Sequence, residues 1–140
     1  MEGLLKQIFG VEILPVHDGR WVLQLGGAFA GIGGATVVVR VRAPRDAPEG
    51  AFAHAWAMIV SPVLQAVQQT PALLDALNEL NAQLRLGRVY WANGTVFAET
   101  GLLATTIEAL ELEASLGVIA QVSHVYGTQL KRTFGGIVPS

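Results

Sequence analysis

Cysteine is absent from the 140 residues, which excludes disulfides and thiolate-held metal and permits a reducing compartment. Charge is scarce too: 14% of residues are charged, against about 25% in an average soluble domain. Basic charge in excess is missing as well. The net charge is −2 and the pI about 5.9, without the concentrated basic face of a nucleic-acid binder. Histidine occurs only at His17, His54 and His124, and aspartate only at Asp18, Asp46 and Asp75. None of these falls at a metal-ligand spacing such as two histidines one helical turn apart, and no serine–histidine–aspartate order or nucleophile elbow is visible. Asp75 lies in the first turn of an expected helix, and Glu108, Glu111 and Glu113 crowd the beginning of another. Attraction to the helix dipole accounts for all four without acid–base chemistry. No catalytic, metal or cofactor-binding residue can be named. The expectation is a protein that is not an enzyme and needs no cofactor.

What is abundant is apolar: 51% of residues. So few charges cannot coat a monomer generously, so part of the apolar area is expected to face a second subunit or partner. The length suits a single domain over residues 1–140. Residues 21–39 carry no charge and raise the membrane question. Gln24, the glycines Gly26, Gly27, Gly31, Gly33 and Gly34, and strand-like alternation at both ends favour two strands joined by a glycine-rich connection. The beginning, MEGLLKQIFGVE, lacks a basic region before an apolar core, so a cytoplasmic location is expected.

The periodicities give an order of elements. Residues 1–9 form a short amphipathic helix stopped by Gly10, and His17-Asp18-Gly19 is a turn. A strand over 20–25 puts Trp21, Leu23 and Leu25 on one face, and a second over 36–43 turns Val37, Val39 and Val41 one way and Thr36, Arg40 and Arg42 the other. PRDAPEG at 44–50 is a loop. Residues 53–67 alternate Trp56, Met58 and Val60 against alanines and Ile59; Pro62 demands an edge or a bulge there, with a short helix capped by Ser61 as the competing reading. Thr70-Pro71 starts a helix with Leu73, Leu74, Leu77, Leu80 and Leu84 in a stripe, closed by Gly87. Asn93-Gly94 between alternating runs calls for a type I′ hairpin pairing Trp91 with Val96, Tyr90 with Phe97 and Arg88 with Glu99. A last helix is expected from about Thr105, boxed by Glu108, to Phe134. Its apolar residues make two rows: Ile107, Leu110, Ala114, Val118, Val122 and Val125, then Leu112, Leu116, Ile119, Tyr126 and Leu130. Together they are wider than one sheet face needs.

GAFAGIGGA lacks the lysine and hydroxyl of a phosphate loop and leads into a strand. It reads as a connection; closing over a small-molecule pocket, with residues 26–34 in a regulatory role, is the alternative function. Arg40, Arg42 and Arg45 form a small basic strip that a solvated strand face explains, with an acidic partner segment as the other reading.

The sum is an α+β domain in the order α-β-β-β-α-β-β-α, an antiparallel sheet packed by helices. The stretch TPALLDALNELNAQLRLGRVYWANGTVFAETGL and a long helix ending KRTFGG carry the pairs Leu77-Asn78 and Leu80-Asn81, a Gly-Arg-Val-Tyr strand opening, and Glu99 just before the last helix. Over residues 61–136 this resembles the YbjN family and its relatives, the class I type III secretion chaperones. The resemblance implies a non-catalytic homodimer whose sheet and first helix receive an extended client peptide. It also implies pairing through the second helix and nearby strands, and a strand from 60 up to the Thr70 cap. On that basis Leu73, Leu77, Leu80, Tyr90 and Phe97 are the expected dimer interface, and Phe9, Trp21 and Trp56 the expected peptide-binding residues. The client would bind by strand addition or by inserting apolar side chains into a groove. No nucleic acid and no membrane are expected among the partners.

Overall fold

The computed structural model describes residues 1–17, 19–26, 34–42 and 54–139. Expectations placed on Asp18, on the glycine-rich residues 27–33, and on residues 43–53, with Arg45, Asp46 and the 44–50 loop, lie outside the described residues. Within them the order is α1 (Glu2–Phe9), β1 (Arg20–Leu25), β2 (Ala35–Arg42), β3 (Trp56–Leu64), α2 (Pro71–Gln83), β4 (Arg88–Ala92), β5 (Thr95–Leu103) and α3 (Ala109–Phe134). The strands form one antiparallel sheet in the order β1-β2-β3-β5-β4. This is the class and order that the periodicities gave.

Helix α3 lies across the middle of one face, over β2, β3 and β5, and α1 packs against it. The face beneath carries Trp21, Leu23, Leu25, Val37, Val39, Ala57, Ile59, Val96 and Ala98, all buried. Of the two rows on α3, Leu112, Leu116, Ile119 and Leu130 enter the core. Val122, from the other row, joins them, whereas Leu110 is 75% and Val125 38% exposed. The surplus apolar row therefore stays partly outside. The helix docks closely because small residues face the sheet: Ser115, Ala120, Ser123 and Gly127 are all buried.

Pro62 explains a local irregularity. β3 is a central strand, and its pairing with β5 slips between Pro62 and Leu64, so the bulge option is realised and not the edge. The freed carbonyl of Pro62 accepts the Ser123 hydroxyl at 2.9 Å, and the buried Ser61 hydroxyl donates to the Thr36 carbonyl at 2.7 Å. The strand does not reach the Thr70 cap as the resemblance implied: it ends at Leu64, Gln65 makes an isolated bridge to Ile137, and Ala66 bends the chain with a φ of +53°. The short helix from Ser61 does not form.

Thr70 accepts the Leu73 N–H through its hydroxyl at 3.2 Å, and Pro71 opens α2 as expected. That helix ends at Gln83, short of Gly87, which instead turns the chain into β4 with φ of +81°. The hairpin has the register read from Asn93-Gly94, with φ of 48° and 83° at the two turn residues. α3 starts later than Thr105. β5 runs on to Leu103 and a turn follows, so Glu108 is the cap and its box partner is Glu111.

Candidate functional site

Helices cover one face of the sheet; among the described residues nothing covers the other. Its residues come from the alternate positions of the same strands: Val22 and Gln24 of β1, Val38, Arg40 and Arg42 of β2, Trp56, Met58 and Val60 of β3, Phe97 and Glu99 of β5, Arg88 and Tyr90 of β4. An antiparallel sheet with one face in water normally shows polar residues there. Here the middle strand presents a tryptophan, a methionine and a valine, all half-buried. The sequence already contained this signal in the alternation of Trp56, Met58 and Val60 against small residues. α3 takes the side of Ala57 and Ile59, and the bulky set faces away from it.

Two shallow depressions mark the open face. One, of about 250 Å³, runs between Arg20, Arg40 and Arg42 on one side and Tyr90, Phe97 and Glu99 on the other, floored by Val38 and Val60. The second, of about 370 Å³, lies among Trp56, Met58, Arg88, Glu99 and Gly101. Glu99 borders both. It pairs with Arg88 at 2.9 Å and accepts the Tyr90 hydroxyl at 2.9 Å. The Arg88 guanidinium stacks 5.0 Å above the Tyr90 ring, which lies 5.6 Å from that of Phe97. Burial, then the hydrogen bond to Glu99 and its charge, raise the Tyr90 hydroxyl above its usual pKa, so at neutral pH it is a donor held in place.

The two edges of the sheet differ. On β4, Val89 turns its backbone outward, and the Asn81 side chain of α2 satisfies both groups: its amide donates to the Val89 carbonyl at 3.0 Å and its oxygen accepts the Val89 N–H at 2.8 Å. The Trp91 indole donates to the Val67 carbonyl at 2.9 Å beside it. α2 thus closes this edge. Asn81→Ala should open it and destabilise the fold by about 1–3 kcal/mol in urea titration, since two backbone groups lose their partners at once.

On β1, Val41 donates to the Gly19 carbonyl at 2.7 Å. Alternation along the antiparallel pair then turns the backbone of Arg20, Val22 and Gln24 away from β2. Arg20 is served by His17 and Val16, at 2.9 Å each. Val22 and Gln24 have no such partner among the described residues. This edge is open.

Of the residues expected to bind peptide, Trp56 lies on the open face, Trp21 is buried under β1 on the opposite face with its indole N–H unpaired, and Phe9 ends α1. The structure does not gather the three in one place. Of the expected interface, Leu73 and Leu77 are buried within the chain and Leu80 partly so, whereas Tyr90 and Phe97 stand half-buried on the open face. Leu74, at 42% exposure, is the leucine of α2 that reaches solvent. Arg20, which the sequence reading left out of the basic strip, joins Arg40 and Arg42 because antiparallel pairing sets it opposite Arg40. The glutamates at the beginning of α3 do cap it, through Glu108 and Glu111. Among the described residues no three histidine or acidic groups converge as a metal site would need, and no helix is long and apolar enough to cross a membrane.

The chain matches, over residues 1–139, the family model described as T3SS (YopN, CesT) and YbjN peptide-binding chaperone 1. The match extends beyond residues 61–136, where the quoted motifs lie, to the first half of the chain. No match to a curated protein was found for the sequence. Among solved structures, a chain of the ExsC–ExsE complex superposes with a TM-score of 0.67 at 14% identity, covering 92% of each chain. A chain of the heterodimeric ExoU–SpcU complex from the type III secretion system of Pseudomonas aeruginosa superposes with a TM-score of 0.58 at 14% identity, covering 93% of this chain and 96% of that one. At such identities the likeness is one of fold.

Proposed function

The chain belongs to the family of type III secretion and YbjN peptide-binding chaperones, and we propose that it is a non-catalytic, cytoplasmic holder of extended polypeptide that works as a homodimer. The observation that carries this reading is the apolar outer face of the sheet. Trp56, Met58, Val60 and Phe97 are half-exposed where a finished monomer would place polar groups. The open edge of β1 lies beside that face and offers the Val22 and Gln24 backbone for strand addition. The two similar structures are of complexes in which a chain of this fold is held with a second protein.

The face divides naturally between two tasks. Toward β4 and β5, Tyr90 and Phe97 stand on the open face, while α2, packed on β4, buries Leu73 and Leu77 and leaves Leu74 exposed and Leu80 partly so; this is the proposed pairing surface. Toward β1 and β3, Trp56 on the open face and the outward-turned backbone of Val22 and Gln24 make the proposed client surface; Trp21, buried on the opposite face, packs β1 from beneath, and Phe9 packs against the same core.

Size-exclusion chromatography with light scattering at tens of micromolar should give twice the 14.8 kDa chain mass. Leu74→Glu should reduce it to the monomer mass. An array of short peptides should be captured selectively where apolar residues alternate. A monomer in both proteins would refute the pairing, and indifference to alternation would refute the holding of extended chains.

A further inference from the structure

Three arginines gather at the β1–β2 end of the open face. Arg20 and Arg40 stand directly opposite each other, in a pair whose backbones do not hydrogen-bond, the register in which cross-strand side chains come closest. Like charges in that position repel and are normally avoided. Arg42 follows two residues on, on the same side, and all three line the depression of about 250 Å³. Among the described residues the one ion pair is Arg88 with Glu99, and none of the three arginines has a carboxylate partner there. The Nε of Arg20 is buried with no acceptor. The chain as a whole is acidic, at −2, so this local concentration of positive charge runs against the overall composition. A fold keeps such repulsion where an outside anion relieves it.

We infer that Arg20, Arg40 and Arg42 form a carboxylate-recognition site for acidic side chains of an extended peptide lying along β1. The inference rests on the peptide-holding reading and adds a sequence preference to it. The geometry specifies the pattern. A strand added beside Val22 and Gln24, next to the Arg20 backbone that His17 and Val16 already hold, sends every second side chain to the open face. Glutamate or aspartate at positions i and i+2 then reaches the arginines, and the intervening residue points to the other side.

The test uses the full-length protein and two fluorescein-labelled peptides of about ten residues, enough to span one strand. Both carry valines on one face; one has a glutamate pair at i and i+2 on the other, and its counterpart has glutamines there. By fluorescence anisotropy the glutamate peptide should bind about fivefold to tenfold more tightly. That advantage should collapse in R40Q/R42Q and in salt of about 0.3 M, where screening is strong. The glutamine peptide should bind both proteins alike. R40K/R42K, which keeps the charge, should retain most of the preference, and R42Q alone serves the comparison if the double variant does not fold. Equal binding of both peptides by the wild-type protein overturns the arginine site and leaves peptide holding intact. Binding of neither overturns both. A labelled single-stranded DNA bound more tightly than the glutamate peptide, or a change of oligomeric mass in R40Q/R42Q, assigns the arginines to another occupant and also overturns the site.

Discussion

Gly127→Ala is expected to lower the stability of the protein by about 2 kcal/mol, although the same exchange in an exposed helix would raise it. Gly127 lies in α3 where the helix crosses β3, and a Cβ there would sit 2.7 Å from the Val63 carbonyl oxygen. Real Cβ atoms do not approach so near, so either the helix or the strand has to move. β3 is held by neighbours on both sides and carries its bulge at this point. The helix is tethered nearby by the Ser123 hydroxyl on the Pro62 carbonyl and by the burial of Ile119 and Leu130. Overpacking of a close core typically costs about 1–3 kcal/mol or more, against about 1 kcal/mol gained from helix propensity. The clash wins. Gly3→Ala in α1 is the matched control, since a Cβ there meets nothing within 4 Å and should stabilise. Urea titrations followed by circular dichroism separate the two. If Gly127→Ala stabilises as Gly3→Ala does, close contact between α3 and the sheet is not what limits the core.

That contact also marks the limit of what the sequence discloses. Local rules act over a few residues and were legible: Thr70-Pro71 capped its helix, and Asn93-Gly94 set the hairpin register down to Arg88 opposite Glu99. The start of α3 is ambiguous in the sequence because Thr105 and Glu108 spell a capping box as well as Glu108 and Glu111 do. Only the reach of β5 to Leu103, decided by pairing with Trp56 of a distant strand, tells them apart. The surface was harder still. Periodicity identifies an apolar face but not which side of the sheet the helix will cover, and in β3 both sides were apolar. The decision fell to small residues on α3, Ser123 and Gly127, whose value lies in what they leave out. Likewise Arg20 could join Arg40 only through a strand register. No spacing along the chain records it.

The open edge of β1 leads to the second large effect. Val22→Pro is expected to leave the protein folded and to weaken binding of an extended peptide by at least about tenfold. A proline inside a sheet normally breaks the ladder, but only where its N–H is used. In β1 the hydrogen bonds to β2 come from the odd-numbered residues, as the Val41 to Gly19 bond shows, so the Val22 N–H points away from the sheet. Removing it costs the native fold little. An incoming strand loses a donor there and meets the pyrrolidine ring as well. Leu23→Pro, one residue on, should do the opposite: it removes a bond to β2 and puts its ring in the buried core, so folding fails first. Circular dichroism reports the fold of each variant, and fluorescence anisotropy with the glutamate-bearing peptide reports binding. Undiminished binding by a folded Val22→Pro protein would mean that the client lies across the face and takes nothing from the β1 backbone. The half-exposed Trp56, Met58 and Val60 would then have to hold it by side-chain contact alone.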